Sequence, residues 1–173
     1  TENAAVCTAL LQDLLKRGLV IDGPLLCVMD GGTGLRKALT DVLGDLAVVQ
    51  RCQLHKLRNV RDHLPKNAQA YVIGAMREAY KASNADTARK RLRSLVTWLE
   101  NAGHDGAAGS LREGLEETLT VIKLGLPKTL TRSLATTNAI ESLMSSVRRA
   151  SRNVKRWRGG DMITRWVALG VFS

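Results

Sequence analysis

Aromatic side chains are scarce in this 173-residue sequence, at 3% of the total, although apolar residues reach 45%. A core must therefore be built from Leu, Val, Ile and Ala. Cysteines are few as well. Cys7, Cys27 and Cys52 are odd in number and widely spaced, which argues against a disulfide framework and for a reducing, cytoplasmic setting. No apolar run approaches the roughly 20 residues of a membrane-spanning helix. The sequence opens on an amphipathic pattern rather than a charged leader followed by an apolar block, so neither membrane insertion nor secretion is expected.

Acidic residues are short where basic ones are dense. Lys128 to Arg158 holds eight basic residues and one acid, Glu141, which is +7 of the net +10. Such a stripe is either a solubilising face or the electrostatic footprint of a polyanion, usually nucleic acid.

The apolar spacing predicts a helix over residues 2–17, with Ala5, Ala9, Leu10, Leu14 and Leu15 on one face and Gly18 as its stop. After Pro24, the run Gly23 to Asp30 reads as a short strand buried on both faces, and Asp45 to Cys52 as a second. A helix with Leu35, Ala38, Leu39, Val42 and Leu43 inward lies between them. From Cys52 onward the pattern is helical. Pro65 starts one helix, Ser83-Asn84 marks a turn before another, and Asn101 to Ser110 reads as a Gly/Ala-rich loop. Residues 111–125 read as a helix ended by Pro127; 138–151 and 161–172 read as helices around a basic loop. The fold class is thus α/β with a long helical stretch, and two strands alone are not self-sufficient.

Four groups of residues could carry chemistry. Asp30 stands at the carboxyl end of the first strand, directly before Gly31-Gly32. Ligand sites gather at that place in α/β sheets, and glycines there allow close approach; an Asp that only tightens the turn fits equally well. Glu141 follows Asn138 by three positions, a capping-box spacing that also suits the helix dipole. Ile140, Leu143, Met144 and Val147 form the expected buried stripe of its helix, with Glu141 at the margin. Cys52 and His55 have half of a zinc spacing but no second pair. Among the tryptophans, Trp166 reads as core, and Trp157 between Arg156 and Arg158 as a contact residue.

Three stretches in order, "MDGGTGLRKAL", "VVQRCQLHKLRNVRDHLP" and "TTNAIESL", followed by "RNVKRWRGGDMITRWVALG", resemble the Mutator-like transposases of bacterial insertion sequences. The resemblance runs over nearly the whole chain. It implies a ribonuclease-H-like fold with a catalytic triad of two aspartates and a glutamate (the DDE class). In that scheme Asp30 matches the second aspartate and Glu141 the glutamate, both as metal ligands. Cys52 and His55 match the family's Cys-x-x-His element beside the active site, with Gly31 and Asn138 as further support. Met144 departs from the Asn that commonly follows "ESL".

The implied activity is metal-dependent phosphodiester hydrolysis and strand transfer at transposon ends. Magnesium is the expected ion, with manganese as a substitute. Arg148, Arg149, Arg152, Lys155, Arg156, Trp157 and Arg158 would hold double-stranded DNA, both transposon ends and target. The implied architecture is an incomplete ribonuclease-H-like core of about two strands over residues 1–64, a helical insertion over 65–135, and core helices with the glutamate and basic segment over 136–173. No residue matches the first aspartate: Asp22 and Asp45 sit before their strands, at the wrong end. The chain is therefore expected to be a C-terminal part of a transposase that works as a homo-oligomer on DNA in a bacterial cytoplasm. Two rivals remain at this point. One is a non-catalytic basic DNA-binding module. The other is a protein-interaction domain that docks an acidic partner on Arg89, Lys90, Arg91 and Arg93.

Overall fold

A computed structural model describes residues 3–172; Glu2, part of the first predicted helix, lies outside that range. The elements run α1 (Ala4–Lys16), β1 (Leu25–Met29), α2 (Thr33–Leu43), β2 (Ala47–Arg51), α3 (Gln53–Asp62), α4 (Lys66–Tyr80), α5 (Ala85–Asn101), α6 (Asp105–Arg112), α7 (Thr120–Lys123), α8 (Lys128–Leu134), α9 (Asn138–Ser151) and α10 (Gly159–Phe172). They form two compact units, one up to Thr136 and one from Thr137 onward.

In the first unit β1 and β2 pair in parallel, with Met29 opposite Arg51. The crossover helix α2 buries Ala38, Leu39 and Leu43. Met29, Leu39, Leu43 and Val49 make a small α/β core. A larger helical core joins Leu57 and Val60 of α3, Val72 and Met76 of α4, Leu92 and Leu99 of α5, and Leu111 of α6. These positions recur at three- and four-residue spacing, as amphipathic helices require.

The predicted strands exist, but β1 is not buried on both faces. Leu25 is 41% exposed and only Met29 is fully covered, because a two-strand sheet leaves much of its surface uncovered. The free edge of β2 is closed by side chains instead of a third strand. Thr120 Oγ1 donates to Val49 O at 2.6 Å, and Gln50 bridges Thr118 O (3.1 Å) and the Val121 amide (2.9 Å).

Three helical expectations need correction. Asn101 to Ser110 is not a loop: α6 occupies Asp105–Arg112 and buries Ala107, Ala108 and Leu111 against α5 and α3. Its small residues weaken the sequence signal yet permit close packing; a Cβ on Gly106 would lie 3.1 Å from His63 Nδ1. Residues 111–125 are not one helix, since Gly114 breaks it and a 3₁₀ turn at Glu116–Leu119 precedes α7. Pro127 does not end a helix but caps α8. Along α1 no residue is fully buried, and Leu10, expected inward, is 59% exposed.

The second unit is the packed pair of successive helices α9 and α10. Gly170 sits on the backbone of α9, where a Cβ would stand 2.4 Å from Val147 Cα. The predicted stripe of α9 is narrower than expected: Val147 is buried, whereas Ile140 and Met144 are 51% and 42% exposed. Trp166 is half-buried rather than core, and its neighbours Ile163 and Leu169 are exposed.

Candidate active site

Asp30 leaves the carboxyl end of β1 and is exposed. Its Oδ1 accepts the Gly32 amide at 3.0 Å, which shapes the turn into α2. Gly31 between them has φ +109°, a backbone region essentially closed to other residues. The turn-tightening role is therefore real, and it leaves the carboxylate directed at solvent at the place where α/β sheets bind ligands.

Parallel pairing brings the end of β2 to the same edge. Cys52 donates its backbone amide to Met29 O at 2.7 Å and is fully buried as the cap of α3. One helical turn on, His55 Nδ1 lies 3.3 Å from Cys52 Sγ, within reach of a sulfur hydrogen bond. Asp30, Gly31, Cys52 and His55, singled out in sequence, thus share one edge of the sheet.

Beneath that edge lies a polar cluster that sequence reasoning missed. Arg51 is 7% exposed, and its guanidinium reaches Glu113 through the backbone O (3.3 Å) and both carboxylate oxygens (3.0 and 3.2 Å). Lys56 is fully buried and donates to Ser110 O and Glu113 O, each at 2.6 Å. Burial, then the adjacent Arg51 charge, lowers the Lys56 ammonium to about 8 against the pull of Glu113. The Arg51 hydrogen bond in turn holds Glu113 below the usual carboxylate range. Arg51 Nε is buried without a partner and lies under Gly31, where a Cβ would stand 2.4 Å away. One signal was available: Lys56 precedes Val60 by four positions and so lies on the apolar stripe of α3.

In the second unit Glu141 is exposed in the first turn of α9. The predicted Asn138 cap is displaced by one residue. Thr137 is the cap; its backbone O accepts the Glu141 amide at 3.0 Å, and its hydroxyl donates to Glu141 Oε1 at 2.5 Å. Because Thr137 is buried and Asn138 exposed, the threonine is the better anchored group. Asn138, Glu141, Ser142, Ser145 and Arg149 share one open polar face of about 500 Å³. Arg148, Arg149, Arg152, Lys155, Arg156 and Arg158 are all exposed, as is Trp157 at 45%. None of these six cations forms an ion pair among the described residues.

Exposed carboxylates are the hard oxygen donors that magnesium prefers, so Asp30 and Glu141 suit that ion in donor type. Among the described residues no three His, Cys, Asp or Glu side chains gather as a metal-binding group. Nor is any helix of the described residues long and apolar enough to cross a membrane.

A family model described as "Transposase, Mutator family" matches residues 1–171. The chain is 33% identical over 154 residues to the transposase for insertion sequence element IST2 of Acidithiobacillus ferrooxidans, covering 89% of this chain and 50% of that protein. It is 31% identical to the transposase for insertion sequence element IS6120 of Mycolicibacterium smegmatis, covering 89% of this chain and 46% of that one. The transposase for insertion sequence element ISRM3 of Rhizobium meliloti is 29% identical over 161 residues, 93% of this chain and 39% of that protein. The chain thus spans about half, or less, of the relatives it matches.

Proposed function

The chain belongs to the Mutator family of transposases, and from that premise we propose that it carries part of the catalytic domain of a DDE transposase. The reaction is cleavage of phosphodiester bonds at the ends of an insertion sequence and transfer of the strand to target DNA. The observation that carries this reading is the position of Asp30, exposed at the carboxyl end of a parallel strand with Cys52 and His55 at the same edge. That arrangement suits a ribonuclease-H-like core.

Asp30 and Glu141 are each proposed as ligands of magnesium or manganese. Bound there, the metal would activate the attacking water or 3′-hydroxyl and offset charge on the leaving oxygen. The chain's own residues do the rest. Gly31 and Gly32 hold the Asp30 carboxylate in its turn, and Thr137 steadies Glu141 by its hydroxyl. The exposed cations from Arg148 to Arg158 hold the DNA backbone, so affinity falls with salt. The whole enzyme is proposed to act as a homo-oligomer on paired DNA ends in the nucleoid. A non-catalytic binding module is not favoured, since the relatives matched are named as transposases.

The test is cleavage of labelled element ends by the intact protein with magnesium or manganese. Asp30→Asn and Glu141→Gln should each abolish cutting while duplex binding persists. Undiminished cutting by Asp30→Asn would overturn the proposal.

A further inference from the structure

Two of the chain's few aromatic side chains stand together in solvent, far in sequence from Asp30, and the catalytic reading uses neither. Tyr71 on α4 is 57% exposed and Trp98 on α5 is 38% exposed. Their ring centroids are 4.7 Å apart at 51°, and the His104 ring follows 6.4 Å beyond Trp98. The rings help line an open groove of about 740 Å³ between the two helices, with Ala75, Lys90, Arg91 and Ser94.

On α5, Lys90 and Ser94 border two grooves, this one and a second lined by Asp86, Arg89 and Arg93. Arg89 and Arg93 share the Glu116 carboxylate with Lys123, and Arg89 also pairs with Asp86. Lys90 and Arg91 lie on the groove side with Ser94 and Trp98, as three- and four-residue spacing dictates. No carboxylate lines the groove. Glu78, near its edge, is paired with Lys81 at 2.8 Å, and Arg91 Nη1 donates to the Glu78 backbone O at 3.0 Å, which fixes the guanidinium. Lys90 has no ion pair among the described residues. Arg91 and Trp98 are seven positions apart, about 10 Å along the helix axis, so cation and ring can serve adjacent parts of one extended ligand.

We infer that this groove binds unpaired DNA: a base out of the duplex stacks on the Tyr71–Trp98 pair while Lys90 and Arg91 neutralise its flanking phosphates. Stacking is tolerant of sequence because every base has a π face. It discriminates by strandedness, since a paired base has both faces covered. The inference rests on the proposed DNA-processing role, and it names a substrate feature that role leaves open.

Binding of the intact protein to fluorescein-labelled oligothymidylate and to a duplex of equal length, by anisotropy, tests it. Tyr71→Ala should weaken oligothymidylate binding roughly 5- to 150-fold, the loss of one stacked base, with duplex affinity held within about twofold. Tyr71→Phe should restore wild-type affinity. Tyr71→Leu, which keeps apolar bulk without a π face, guards against a folding defect and carries the expectation of the alanine variant. Lys90→Gln should lower the salt slope for single strands by about 0.7. Unchanged oligothymidylate binding by Tyr71→Ala and Tyr71→Leu overturns the inference, as does an equal loss on duplex. Loss of self-association in sedimentation, with DNA binding intact, would assign the groove to a second copy and also overturn it. Cleavage that depends on Asp30 is a separate readout, so failure here and failure of the catalytic reading are distinguishable.

Discussion

The guanidinium of Arg51 lies directly under Gly31, so close that a Cβ at residue 31 would stand 2.4 Å from Nε and 2.7 Å from Nη2. The same guanidinium is held by Glu113, at the end of α6. The turn that carries Asp30 is thereby seated on a side chain anchored in the helical part of the unit. Gly31→Ala should meet both the positive φ and this contact, and lose roughly 2–4 kcal/mol. Urea denaturation checks it; a loss below about 0.5 kcal/mol, the range of an uninvolved surface change, would show that Arg51 yields freely.

Lys56 makes stability depend on alkaline pH. Its folded pKa, about 8, lies below the ordinary value of 10.5. Between those values the unfolded chain binds the extra proton, so stability rises as pH climbs through that window and is flat below it with respect to this group. The full gain is at most about 3 kcal/mol. Lys56→Met should lose that alkaline gain and also remove the Lys56 hydrogen bond from the Ser110 carbonyl, while Glu113 O keeps its bond from Arg51, at about 1–3 kcal/mol near neutral pH. Denaturation midpoints of both proteins from pH 7 to 10 decide it. Parallel curves would refute the assigned pKa.

Gly170 allows α9 and α10 to touch backbone to backbone. A Cβ there would lie 2.4 Å from Val147 Cα and 2.9 Å from Val147 N, atoms that cannot rotate away. Gly170→Ala should destabilise the second unit by about 1–3 kcal/mol, despite the better helix propensity of alanine. Hydrogen exchange of α9 amides reports it directly, and unchanged protection would contradict the close approach.

The basic segment should act through phosphate alone. Arg156→Gln should weaken duplex binding about equally for every sequence and lower the slope of log affinity against log salt by about 0.9. Titrations across salt concentration measure the slope. A sequence-dependent loss would point to base contact instead.

The local geometry around the candidate residues was mostly legible because its signals are local. A buried apolar run, an Asp and two glycines identify the end of β1 whatever the chain does elsewhere. Likewise Cys52 and His55, three positions apart at the start of a helix, can hardly avoid one another. The Glu141 helix was legible from its apolar spacing, whereas its cap was misassigned by one residue: Thr137 and Asn138 are both good caps, and burial of Thr137 decides between them. The helix α6 was hidden for a related reason. Its glycines, Gly106 and Gly109, lower helix propensity and its alanines give little apolar contrast, and the value of these small residues lies in how closely α3 and α5 can approach.

Alone, the sequence determined the order of the elements as far as α5, the strand-end carboxylate, the basic tail and the resemblance to transposases, because all of these are written in residues at most a few turns apart. Only the tertiary structure decided that Arg51 and Lys56 meet Glu113, that Gln50 seals the sheet through residues 118–121, and that Tyr71 and Trp98 share a groove. Those partners are separated by 27 to more than 60 positions. Nothing in either member marks the other until packing of the helical core removes every alternative for their buried polar groups and sets the exposed rings side by side.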